Sequence, residues 1–147
     1  MNRMSKSQLA TVPHAAPIEV EWVRGLEFQA GRPQGPRVRI DGDAISAPGP
    51  FDVLLASIAT CASTDVVTIL QKQRTPVTAL QVIIEAQRVE ATPRRLASAI
   101  LHFTITAPGS TAAKAARAVE LSITKYCSVR SSLVADAPVT WTVELRS

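Results

Sequence analysis

The sequence predicts an α+β fold, and three observations predict it. Residues 18–22 (IEVEW) and 37–41 (RVRID) alternate apolar and charged side chains, the period of a half-buried strand. Residues 50–74 carry apolar side chains at helical spacing over a length no strand reaches. The elements then follow as three short strands, one long helix, a strand hairpin, a second helix and a last strand. That order lacks the regular strand–helix alternation of a doubly wound sheet.

Residues 1–16 read as a flexible, mixed-polar tail with Pro13 and a solvated His14, and residues 17–147 as a single domain. From Ile18, the apolar set Ile18, Val20 and Trp22 alternates with Glu19 and Glu21. The segment EFQAG, after an Arg24-Gly25 turn, continues the pattern, and Arg37–Asp41 closes an N-terminal meander with one charged face.

The breaker SAPGP ends at Pro50, a residue suited to the first helical position because its missing N–H has no intrahelical partner there anyway. Leu54, Leu55, Ile58, Ala62, Val66, Ile69 and Leu70 give the helix its stripe. Val53, Ala56, Ala59 and Val67 widen that stripe until little of the surface is polar. Such a helix is expected in the middle of the protein, wrapped by other elements. Gln71–Arg74 supply a polar, basic end that suits the helix dipole.

Residues 79–90 and 95–107 form the hairpin. In the second strand Ala97, Ala99, Leu101, Phe103 and Ile105 line one face, and Leu96, Ser98, Ile100, His102, Thr104 and Thr106 the other, so His102 is a half-solvated strand histidine. Ser110 or Thr111 caps the second helix, which runs through KYCSV and carries Cys127 near the face of Ile123. Val139, Trp141, Val143 and Leu145 share one side of the last strand.

Composition narrows the chemistry. At 147 residues the chain is long enough to fold without disulfide or metal staples. A net charge of +4, spread along the chain, lacks the basic runs and interleaved aromatics of a nucleic-acid binder. The apolar run Val53–Ala62 is too short for a membrane span and the N-terminus lacks a signal-type apolar core, so a soluble cytoplasmic protein is expected. Two cysteines and two histidines without ligand spacing argue against a metal. No phosphate-binding glycine loop or serine-hydrolase elbow is present, and no cofactor is expected.

The chemistry that remains is thiol chemistry, at Cys61 and Cys127. Taken singly, each thiol is more often a small core filler than a reagent. A reactive one needs a thiolate, hence a cation nearby. Cys61 lies about three turns into its helix, beyond reach of the terminal dipole, so Arg37 and Arg39 are the candidate cations.

These motifs resemble a known family. GPFDVLLASIATC is similar to the first conserved helix of the OsmC/Ohr thiol-dependent hydroperoxide reductases, with its proline, acidic residue, Leu/Ala-rich stretch and peroxidatic cysteine. KYCSV resembles the second cysteine motif, closest to that of the less characterised OsmC-like branch, and RIDGD resembles the stretch holding the family arginine. The resemblance spans roughly residues 18–146. It implies an intertwined homodimer with a site at each subunit interface and an organic hydroperoxide as substrate. It further implies that Cys61 attacks the peroxide and becomes a sulfenic acid, that Cys127 condenses with it to a disulfide, and that an external dithiol restores both. Arg39, with Arg37 as a substitute, would hold the thiolate and orient the peroxide.

One position departs from that pattern. Where the family carries a glutamate directly after the proline, this chain has Phe51. Asp52 follows one residue later, about 100° around the helix. Two alternatives therefore stand beside the peroxidase reading: a binding protein for an apolar or electrophilic small molecule on the same fold, and an interaction protein with two inert core thiols.

Overall fold

Strand alternation in the N-terminal segment produces a three-stranded antiparallel sheet in the computed structural model, which describes residues 9–147. The expected tail lies partly outside the described residues. The chain divides into two units, Met1–Pro50 and Phe51–Ser147.

In the first unit, β1 (Glu19–Arg24), β2 (Glu27–Gly31) and β3 (Val38–Asp41) pair in sequence order. Gly25, at φ +50°, makes the β1–β2 turn, and its carbonyl accepts the Trp22 indole N–H at 2.9 Å. The register sets Trp22 opposite Phe28 and Phe28 opposite Ile40, with Val20, Ala30 and Val38 in the next row. One face is therefore apolar. The other carries Glu19, Glu21, Glu27 and Arg39, where Arg39 pairs with Glu27 and Arg37, just before β3, pairs with Glu19. Below β3, Asp41 organises the chain that follows. Its carboxylate accepts the backbone N–H groups of Asp43, Ile45 and Ser46 at 2.9–3.1 Å, together with the Ser46 hydroxyl.

The second unit is built on α1 (Pro50–Lys72) and a three-stranded sheet of β4 (Ala79–Arg88), β5 (Leu96–Thr106) and β6 (Val139–Arg146). Strand β5 is central, antiparallel to β4 and parallel to β6. The parallel pairing needs a crossover, which α2 (Ala112–Leu121) provides, so this part of the chain is a strand–helix–strand unit. Thr111 caps α2, its hydroxyl accepting the Lys114 N–H at 3.2 Å.

Ile58, Ala62, Val66 and Leu70, one residue per turn of α1, are fully buried among Leu101, Phe103, Ile105, Ala115, Ala118 and Val119. Each large side chain here contributes roughly 1.5–3 kcal/mol by leaving water. The helix is not wrapped on every side, contrary to the expectation from its composition. Ala56, Thr60, Thr64 and Val67 stay exposed. With 23 residues it is also longer than its uninterrupted apolar run, and by length and composition alone it is apolar enough to cross a membrane.

Two sequence expectations are corrected. Leu96 is buried with Ala99 and Leu101 rather than facing solvent, because a β-bulge shifts the register between Gln87 and Arg88 and displaces Ala97. The second helix does not run on through Cys127. It becomes a π-turn at Ser122–Tyr126 and breaks at Cys127, which has extended backbone angles (φ −70°, ψ 100°). A short helix, α3 (Ser128–Ser131), then starts from the Cys127 carbonyl.

Candidate active site

The π-turn brings the two thiols together. The Cys127 N–H reaches back to the Ser122 carbonyl at 2.7 Å, five residues earlier, which widens the last turn of the helix. Ser122 is itself fully buried, and its hydroxyl contacts the Ala62 carbonyl at 3.0 Å and the Asp65 carboxylate at 2.9 Å. The turn is thus tied to α1 immediately beyond Cys61. Cys127 lies 4.0 Å from the Ile58 carbonyl, one turn before Cys61, and the two cysteine side chains come within 3.3 Å of each other.

The two thiols have different surroundings. Cys61 is half-buried, on the flank of the buried stripe of α1, whereas Cys127 is buried. Burial pushes the Cys127 thiol up to about 11, with the neighbouring Cys61 adding to the rise. The Arg130 backbone N–H, which points at the Cys127 sulfur at 3.4 Å, works in the opposite direction. Of the pair, Cys61 is therefore the better placed to meet a reagent first, and Cys127 is held back as a neutral thiol at physiological pH.

Two grooves flank this region on different sides. One, of about 500 Å³, runs between α1 and β4 and is lined by Leu55, Ala59, Ser63, Leu80, Val82 and Ile84. Neither cysteine is among the residues that line this groove. The other, of about 350 Å³, has Cys127 in its wall with Lys125, Arg130 and Trp141.

A family model for OsmC-like proteins matches residues 41–143. The chain belongs to the OsmC family. Protein YhfA of Escherichia coli K12 is 37% identical to it over 127 residues, 86% of this chain and 95% of YhfA. An OsmC-like protein from Mycoplasma pneumoniae superposes with a TM-score of 0.77 at 16% identity, over 92% of this chain and all of that one. The organic hydroperoxide resistance protein OhrB of Bacillus subtilis superposes with a TM-score of 0.59 at 12% identity, over 89% of this chain and 98% of OhrB. At those identities the structural likeness concerns the OsmC fold alone.

Two positions singled out by the resemblance to the OsmC family can now be described. Phe51, where the family glutamate was expected, packs its ring under the Arg88 guanidinium at 3.9 Å, a cation–π contact that joins the first turn of α1 to the end of β4. Arg39 belongs to the N-terminal unit, where it meets Glu27 at 3.4 Å with its side chain 53% exposed. Glu27 also accepts from the Ser46 hydroxyl at 2.6 Å and from Arg24 at 2.7 Å. Together with Arg39 these contacts hold its carboxyl below the usual range. Arg37 is bound more closely, at 2.6 Å from Glu19.

His102, read as a half-solvated strand histidine, lies between Thr142 at 2.8 Å and Glu85 at 3.3 Å on the outer face of the sheet. Among the described residues no group of three or more His, Cys, Asp or Glu side chains gathers in a way that could hold a metal ion. The Ser122–Asp65 tie and the Arg88–Phe51 stack were not anticipated from sequence. The available signals were slight: a serine at the start of the segment leading to Cys127, and an aromatic where a carboxylate was expected.

Proposed function

We propose that this chain reduces organic hydroperoxides through the Cys61/Cys127 pair. The observation that carries the reading is the 3.3 Å approach of two thiols held on separate elements, one half-buried and one kept neutral by burial. The Cys61 thiolate attacks the peroxide oxygen, the O–O bond breaks, and an alcohol leaves after taking a proton. Cys61 is then a sulfenic acid. The Cys127 thiol displaces its hydroxyl as water to give a disulfide, and an external dithiol returns both cysteines to thiols while becoming a disulfide itself. Arg39 is assigned to hold the Cys61 thiolate and orient the peroxide. It is preferred to Arg37, whose guanidinium is bound at short range by Glu19.

The same proposal includes a homodimer and a cytoplasmic location. A second copy would cover the open face of α1. There the hydroxyls of Thr60, Thr64 and Thr68 bond to carbonyls one turn back at 2.6–2.9 Å, which leaves their methyl groups turned outward.

Mass spectrometry of the native protein after one equivalent of cumene hydroperoxide tests the reading. A Cys61–Cys127 disulfide in the wild type, with peroxide consumption lost in Cys61→Ser, is the expected result. Equal, slow consumption by both proteins would refute it. A second reading, a binding protein for an apolar or electrophilic molecule, draws on Phe51 being stacked on Arg88 and on the apolar groove beside β4. A specific bound ligand without peroxide turnover would favour that reading.

A further inference from the structure

The groove on the Cys127 side differs in chemistry from the apolar one beside β4. Its wall combines two cations, Lys125 and Arg130, with Ser131, the Trp141 ring and Cys127 itself, and it includes no carboxylate among the described residues. At about 350 Å³ it is at the lower end of small-ligand sites, which run from roughly 300 to 1,000 Å³. A cleft lined by one sign of charge concentrates ligands of the other sign. Cys127, although buried, is the cysteine that borders this cleft.

We propose that this groove is the port through which a small anionic dithiol reaches and reduces the Cys61–Cys127 disulfide, attacking at the Cys127 sulfur. The proposal rests on the reading that the two cysteines cycle through a disulfide. In the first step a thiolate of the reductant bonds to Cys127 Sγ, the Cys61–Cys127 bond breaks, and the electron pair leaves on Cys61. In the second step the remaining thiol of the same molecule attacks its own first sulfur. This closes a cyclic disulfide and expels Cys127, which takes up a proton. One dithiol is oxidised and one protein disulfide is reduced.

Leaving-group chemistry favours this direction. Attack at Cys61 would expel Cys127 in the first, bimolecular step, and a buried thiol raised to about 11 leaves slowly. Attack at Cys127 defers that expulsion to an intramolecular step, where high effective concentration compensates. The Arg130 N–H, 3.4 Å from the Cys127 sulfur, is placed to stabilise charge on it as it departs.

The test starts from protein oxidised with diamide, so that no peroxide step is involved. Reduction rates are compared for 1,4-dithiols that all close a six-membered cyclic disulfide but differ in charge: 2,5-dimercaptoadipate (anionic), dithiothreitol (neutral) and dithiobutylamine (cationic). Taking each variant against wild type for the same dithiol cancels the reagents' own reactivities. Lys125→Gln is expected to slow 2,5-dimercaptoadipate about tenfold and to leave dithiothreitol within about twofold, with Lys125→Arg restoring the wild-type rate. Arg130 also donates to the Ala137 carbonyl at 2.9 Å, so Lys125 is the cleaner probe. Equal slowing of all three dithiols, or of none, overturns the port and leaves the peroxidase reading intact. Failure of diamide to link Cys61 to Cys127 overturns the two-cysteine reading, and the port with it.

Discussion

The Ser122 hydroxyl lies 2.9 Å from the Asp65 carboxylate, one turn of α1 beyond Cys61. That bond, and the companion contact to the Ala62 carbonyl, set the height of the π-turn against the helix and so the approach of Cys127 to Cys61. Ser122→Ala leaves buried acceptors without their donor and is expected to cost about 1–3 kcal/mol, read as a lower urea midpoint. The same variant should form the Cys61–Cys127 disulfide more slowly with diamide, because the turn loses its anchor. An unchanged rate would mean that packing alone positions Cys127.

Burial gives Cys127 a distinct pH signature. Its folded value, about 11, lies above its ordinary 9.0. The neutral thiol therefore contributes stability that is complete below about 9 and is lost as pH rises towards 11. Thiolate absorbance of the native protein should show one ionisation in that upper range, which moves down to the ordinary value on unfolding. A single thiol titration at the ordinary value in the folded state would contradict the burial argument.

Asp41 acts at the other end of the scale. Three backbone N–H groups and the Ser46 hydroxyl hold its carboxylate at about 2, below its ordinary 3.8. The stabilisation is full above about 4 and is lost as pH falls through 2. Amide exchange at Asp43, Ile45 and Ser46 should accelerate over that acid range. Asp41→Asn should show weaker protection at neutral pH and little further loss on acidification.

The Arg88–Phe51 stack makes a smaller, separable contribution. Phe51→Leu keeps an apolar side chain and removes the ring face, so a loss of about 0.5–1 kcal/mol is expected in thermal or urea unfolding. Arg88→Lys should keep part of it and Arg88→Ala none. A double-mutant cycle between positions 51 and 88 with no coupling would remove the stack from the list of stabilising contacts.

The local elements were legible in the sequence and several of the relationships between them were not. Pro50, the apolar stripe and the polar Gln71–Arg74 segment marked α1 closely, because each acts within a turn of its own position. The alternation in β4–β6 was equally clear. The β5 bulge escaped because displacing Ala97 leaves no mark on an alternating pattern. The π-turn escaped for a related reason: SITKY keeps ordinary helical spacing, and what unwinds it is a tertiary bond from Ser122 to α1. Strand polarity between β5 and β6 depends on how α2 returns the chain, which local periodicity does not encode. The cysteine pairing was reached only through resemblance to the OsmC family, since nothing in either motif alone points to the other.

The distance in sequence between Cys61 and Cys127 has a consequence for heat resistance. A bond between them closes a loop of about 66 residues that contains all of β4, β5 and α2. Restricting an unfolded chain over such a loop raises stability by roughly 4 kcal/mol in the chain-entropy view. The oxidised protein should therefore melt several degrees above the reduced one, making a simple thermal melt a gauge of the protein's redox state. By the same linkage, heating or denaturant that loosens the fold should make the bond easier to reduce.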